Sequence, residues 1–160
     1  KEPSIIIMLG LASGRKAISL ERFAMNLRDY SIPDVEGQKV KDKPVDKDGP
    51  DLIRNPLDLE KIRKRVLKSG YPCEISNHAG TFICNELYYS ALKHSIDDKA
   101  IAACLFVHVP ELMDFSKSAS ISRKKSVAGR AKNARQQKRQ LSLLRDGIAA
   151  VLSAVADQVI

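Results

Sequence analysis

Three cysteines and three histidines are the side chains of this chain best suited to nucleophilic or proton-transfer work near neutral pH, and their spacing narrows the choice. Cys84 follows a short strand candidate at 72–76 and a tight turn at 77–81 containing Gly80, and it sits at the opening of a helical pattern. Free backbone N–H groups and partial positive charge at a helix start favour a thiolate there. The same N–H groups can stabilise an oxyanion formed by attack on a carbonyl. His108 ends an apolar strand run at 100–109, and open parallel sheets gather their sites beyond the carboxyl ends of the strands. The competing readings are plain. Cysteine is among the most buried residue types, so a lone Cys84 is more often packing than chemistry. Cys104 and Cys73 suit packing better, and His108 in a strand could equally be a satisfied core histidine. His78 in the turn is the rival base, and His94 closes a helix as a surface residue. Cys104 and His108 would share one strand face, but no second ligand pair accompanies them, so a metal site is not supported. No Cys-x-x-Cys, His-Glu-x-x-His, phosphate loop or dinucleotide glycine pattern occurs. The Gly10 to Arg15 turn has the look of a phosphate turn, but no helix opens after it.

The elements that would hold these groups alternate. Ile5-Ile6-Ile7-Met8-Leu9, ended by Gly10, reads as a strand buried on both faces. Residues 18–27 lean to strand although neither face is cleanly apolar. Residues 31–54 are rich in Pro, Gly, Asp and Lys and read as a long loop. Asn55-Pro56 opens a helix with Asn55 as N-cap, Leu59, Ile62, Val66 and Leu67 keep its spacing, and Gly70 ends it. Residues 82–94 form a second helix with Leu87, Tyr88, Ala91 and Leu92 on its stripe. Pro110 stops the strand run at 100–109. Residues 141–160 form an amphipathic helix carrying Leu144, Ile148, Val151, Leu152, Val155 and Val159 on one side. Such alternation implies an α/β fold, with helices on both faces of a mostly parallel central sheet.

Composition bounds the partners. The chain has 160 residues, one domain's worth, with 44% apolar and 29% charged residues. Its net charge of +8 is uneven: residues 117–145 hold ten Lys/Arg and no acid, leaving 17 cations against 19 acids elsewhere. The basic block has no aromatic for base stacking, which disfavours a nucleic-acid partner and favours a solvated segment. No apolar run approaches the length of a membrane span, and no signal peptide is visible. An odd number of cysteines in no framework spacing suggests free thiols, with the cytoplasm as the default compartment.

Three motifs then carry a resemblance. Ser76-Asn77-His78-Ala79-Gly80-Thr81-Phe82-Ile83-Cys84-Asn85 resembles the active-site signature of the pyroglutamyl peptidase I family. Phe106-Val107-His108-Val109-Pro110 is similar to its histidine motif. Leu20-Glu21-Arg22-Phe23-Ala24-Met25-Asn26, preceded by Gly14-Arg15, is similar to its glutamate motif. Ile32-Pro33-Asp34, Gly37 and Gly49-Pro50 fit the linking stretch. The order and the spacings, 63 from Glu21 to Cys84 and 24 from Cys84 to His108, agree with the family.

The resemblance implies a three-layer α/β/α cysteine exopeptidase that removes N-terminal pyroglutamate (5-oxoproline) from peptides, without metal or organic cofactor. It implies Cys84 as nucleophile, His108 as general base and then acid, and Glu21 as the group orienting the imidazole. It assigns Phe82, Ile83 and Ile32 to an apolar pocket for the lactam ring. Many microbial members are tetramers, so a homo-oligomer is compatible with it.

The chain departs from the family in three respects. Its N-terminal strand region and a Gly-Phe-Glu-Pro-Phe-Gly loop are missing, Leu11 stands where bacterial members often carry glutamine, and a basic insertion-like segment spans about 115–140. The expectation is therefore one pyroglutamyl-peptidase-like domain over 1–160 that lacks the N-terminal strand region. The alternative is a truncated, non-catalytic relative binding a partner through its basic segment at 117–145.

Overall fold

The computed structural model of the chain describes residues 4–112 and 127–159, and for 127–132 the backbone alone. The elements run β1 (Ile5–Ala12), β2 (Ile18–Glu21), β3 (Phe23–Met25), β4 (Leu52–Arg54), α1 (Leu59–Lys68), β5 (Cys73–Ser76), α2 (Ile83–Asp97), β6 (Ala103–Pro110) and α3 (Val127–Val159). Four strands form the central sheet in the order β1-β6-β2-β5. β1 pairs parallel with β6 and β2 parallel with β5, while β2 meets β6 antiparallel. The sheet is thus mostly parallel with one reversed neighbour. β3 and β4 make a separate antiparallel pair.

Two buried clusters, one on each face, produce three layers. Ala103, Leu105 and Val107 of β6 join Ile18 and Leu20 of β2 against α1 and α3. Cys104 and Phe106 of β6 face the other way, against Tyr88, Tyr89 and Leu92 of α2. The two-residue period of a strand divides β6 between them. Each fully buried Ile or Leu contributes about 1.5–3 kcal/mol, so Ile18, Leu20, Ile62 and Leu105, all fully buried, anchor the layer beneath the helices.

Several sequence readings need correction. β1 does not stop at Gly10 and is not buried on both faces. It runs on to Ala12 as an edge strand, with Leu9 and Leu11 exposed. Residues 18–27 are indeed extended, but they split at Arg22 into β2 and β3, in different sheets. The loop at 31–54 closes with strand β4. Asn55 is not the N-cap of α1. Asp58 is, and its carboxylate accepts from the Lys61 N–H. Asn55 is buried instead. Its amide donates to the Tyr88 hydroxyl (2.7 Å) and the Cys104 carbonyl (2.8 Å), and its oxygen accepts the Leu57 N–H. Satisfying those buried groups outweighs a cap that Asp58 supplies equally well.

Leu67, Leu87 and Leu152, read as members of buried helical stripes, are exposed. α3 begins 14 residues before the expected start and packs through Leu144, Val151, Ala154 and Val155. Its Arg135, Lys138 and Arg139 are exposed. The first part of the expected basic segment, 115–126, lies outside the described residues. Among the described residues no helix is long and apolar enough to cross a membrane.

Candidate active site

β2 and β6 carry the two groups at the centre of the site. Their antiparallel register sets Ser19 opposite His108, and the alternation of β2 brings Glu21 to the same sheet face. His108 Nδ1 lies 2.7 Å from Glu21 Oε1, with both residues buried. Glu21 is completely buried, so its carboxylate depends on partners. Arg15, in the turn between β1 and β2, donates from Nη1 to the same Oε1 at 2.9 Å. Oε2 is buried and has no partner among the described residues.

Cys84 approaches from the facing helix. It is the second residue of α2, after N-cap Phe82, and it is half-buried. Phe82 is extended (φ −103°, ψ −166°), and its side chain makes no capping bond. Its carbonyl accepts the N–H groups of Asn85 and Glu86. The N–H groups of Ile83 and Cys84 have no acceptor among the described residues and remain available at the end of the helix that bears positive potential. The turn before α2 is pinned to the loop at 29. Asp29 donates its N–H to the Thr81 carbonyl, and Thr81 returns its hydroxyl to the Asp29 carbonyl at 2.7 Å.

The electrostatics join the three groups. Burial works against a charged His108, but hydrogen bonds with Cys84 and Glu21, and the Glu21 charge, outweigh it. A weaker opposing push comes from the Arg15 cation. The balance lifts His108 from 6.5 to about 9, so the imidazole is protonated at neutral pH. The other thiols differ. Burial pushes Cys104 up to about 11 and Cys73 up to about 12, which suits packing rather than reaction. His78 is exposed and turned to its own loop, with Nδ1 accepting the Gly80 N–H at 3.2 Å. His94 is exposed near the end of α2.

Phe82 and Ile83 flank Cys84 directly. The Tyr30 ring meets Phe82 edge-on at 4.7 Å, and Tyr30 also hydrogen-bonds Glu86, which brings the loop carrying Ile32 to this end of α2. Ile32 and Ile83 are exposed. A cavity of about 480 Å³ opens elsewhere, between the start of α1 and Arg22, Arg54 and Ile75, and neither Cys84, His108 nor Glu21 lines it.

Four supporting residues escaped the sequence reading of the site. Arg15 stands out in the sequence only as part of a motif. Gly10 does not end its strand but pairs with His108 in the β1–β6 register. A Cβ there would lie 2.8 Å from Phe106 Cε1 and 3.1 Å from His108 Cδ2. Asn85 is buried beside the nucleophile candidate and ties α2 to β3. It accepts the Met25 N–H and donates to the Met25 and Leu27 carbonyls. Tyr88 donates to the Glu21 carbonyl. An Asn or Tyr inside an apolar helical stripe was the available signal.

The pyroglutamyl peptidase family model matches residues 1–132. A pyrrolidone-carboxylate peptidase of Vibrio campbellii is 36% identical over 98% of this chain and 66% of its own length. A solved mutant pyrrolidone carboxyl peptidase from P. furiosus superposes with a TM-score of 0.73 at 32% identity, covering 94% of this chain and 70% of that one. The pyroglutamyl peptidase I of Bacillus amyloliquefaciens gives 0.67 at 31% identity, over 84% and 64%. The chain spans between about half and two-thirds of the length of the curated relatives it matches.

Proposed function

Since the chain belongs to the pyroglutamyl peptidase family, we propose that it hydrolyses the amide bond following an N-terminal pyroglutamyl residue, with Cys84, His108 and Glu21 as its triad. The observation that carries this reading is the buried 2.7 Å contact of His108 with Glu21, with Cys84 near enough to the same imidazole to raise its proton affinity.

Cys84 Sγ attacks the pyroglutamyl carbonyl carbon as a thiolate, and the carbonyl π pair moves onto oxygen. The free N–H groups of Ile83 and Cys84 are the donors suited to that oxyanion. As the tetrahedral species collapses, the C–N bond breaks and the His108 imidazolium gives its Nε2 proton to the departing amine. A water then loses a proton to His108 and attacks the thioester, and the C–S bond breaks to return the thiolate. Glu21 holds Nδ1–H throughout, so that Nε2 faces the reaction. Phe82, Ile83 and Ile32 line the lactam ring, an uncharged group that apolar side chains suit. The reaction needs no metal or organic cofactor. Three free thiols support a reducing compartment, the cytoplasm. A homo-oligomer belongs to the same reading, and light scattering measures it.

The test is release of a reporter amine from a pyroglutamyl amide. Cys84→Ser and His108→Ala are expected to lose about a thousandfold or more in kcat, with Glu21→Gln losing less. Undiminished activity in either of the first two variants overturns the assignment.

A further inference from the structure

We propose that Arg15 is a positioning residue of this site: its guanidinium grips the Glu21 oxygen that also holds the His108 imidazole, and so fixes the acid that orients the base. The inference rests on the triad reading above and extends it by one group.

The geometry carries it. Glu21 Oε1 takes both donors, Arg15 Nη1 at 2.9 Å and His108 Nδ1 at 2.7 Å, while Oε2 has none among the described residues. A fully buried carboxylate held by the imidazole alone could turn about its last side-chain torsion and carry the ring with it. A second donor from a different element removes that freedom. Arg15 is well placed to be rigid itself. It follows Gly14, which has a φ of +92°, and its N–H closes the turn onto the Ala12 carbonyl. A guanidinium offers directed N–H donors in a planar fork, which suits fixing a carboxylate better than a flexible ammonium would. Three-quarters buried at the side-chain level, it bridges the solvent edge of the sheet to the buried acid.

The electrostatic role follows from the same contacts. Arg15 and His108 touch one oxygen, which puts the two cations inside the range of about 4–6 Å where one charge moves a neighbour's pKa by roughly a unit. Each added cation lowers the proton affinity of the cluster. Arg15 therefore stops Glu21 from making His108 too weak an acid to protonate the leaving amine. The other groups facing His108 are Glu21 from β2 and Cys84 from α2. The Tyr88 hydroxyl is committed to the Glu21 carbonyl, and Glu74 of β5 is committed to Ser19.

NMR titration of the His108 ring, assigned by its loss in His108→Gln, tests this on the whole chain. Removal of a fixed cation raises the proton affinity around it, so Arg15→Gln is expected to move the His108 midpoint upward by about half a unit or more. Arg15→Lys keeps the charge and is expected to restore most of the midpoint. In a Glu21→Gln background, Arg15→Gln is expected to have a smaller effect. On a pyroglutamyl reporter, Arg15→Gln is expected to lower kcat by about 10–100-fold with KM within twofold, as a misplaced base would. A folded Arg15→Gln chain whose His108 titrates at or below the unsubstituted midpoint overturns the inference. Should that variant not fold, the Arg15 side-chain N–H resonances of the unsubstituted chain decide. They are expected to shift as His108 titrates and to lose protection in Glu21→Gln, and their indifference overturns it. Activity surviving Cys84→Ala would instead refute the triad reading, and the titration would still report on Arg15.

Discussion

Replacing Gly10 by alanine adds one methyl group, and the structure says where it goes. Gly10 faces His108 across the parallel β1–β6 ladder. The new carbon would stand 2.8 and 2.9 Å from Phe106 Cε1 and Cζ, and 3.1 Å from His108 Cδ2. Carbon atoms rest at about 3.5–4.0 Å, so the overlap with Phe106 is roughly 0.7–1.2 Å. Phe106 is buried, with the Tyr88 ring at 5.8 Å and the His108 ring at 4.9 Å, and a turn of its ring presses on one of them. Either β1 backs away from β6 or His108 shifts by a similar distance. Overpacking of this kind costs about 1–3 kcal/mol, and a displacement of about 1 Å at a reacting group costs about a hundredfold in rate. The assay pairs urea unfolding with kcat on a pyroglutamyl reporter. Gly70→Ala is the control. Gly70 has a φ of +88° just after α1 with nothing within 4 Å of the added carbon, so it should cost about 1–2 kcal/mol through backbone strain with kcat retained. If Gly10→Ala keeps kcat within twofold, the claim that this glycine makes room for the imidazole is wrong.

Other outcomes follow from the same contacts. The folded His108, at about 9 against 6.5 for an unperturbed imidazole, contributes about 3 kcal/mol of stability that is complete below pH 6.5 and is lost as pH rises through 9. Urea unfolding between pH 6 and 10 should show that decline, and His108→Gln should flatten it. Iodoacetamide under native conditions should modify Cys84 well before Cys73 and Cys104, which are buried, and peptide mass mapping reads the order. Asn85→Ala strands the Met25 N–H and the Met25 and Leu27 carbonyls, and should destabilise the chain by about 2–4 kcal/mol in urea unfolding.

The secondary structure was legible where one period dominated. The apolar run at 100–109 holds a strand that starts three residues late and takes in Pro110; it is buried from Ala103 to His108, as a continuous apolar sequence implies, while Ala100 and Ala102 ahead of it are exposed. What local sequence does not encode is which neighbours are present. Ile5 to Leu9 carries the same apolar signature, yet its strand lies at the sheet edge. Nor does it encode direction: β2 runs antiparallel to β6, and only that register joins Glu21 to His108. Asn55-Pro56 had the form of a helix start, but the burial of Tyr88 and the Cys104 carbonyl made a different demand on Asn55. Cys84 and His108 could be singled out from helix-start and strand-end chemistry. Glu21 could not, because an acid in an ambiguous strand has no local mark, and it came only through the resemblance. Arg15 is a case of the same kind: its meaning is fixed by the carboxylate it reaches.

The Glu21–His108 contact closes a loop of 87 residues. In a chain made from its N-terminus, Glu21 waits for nearly the whole central sheet, and Cys84 emerges before its imidazole does. Loop closure of that span is entropically costly until β2, β5 and β6 have paired. Ring and acid therefore meet only once the sheet exists. On the proposed triad reading, this long-range register ties the assembly of Glu21 with His108 to the completion of the sheet.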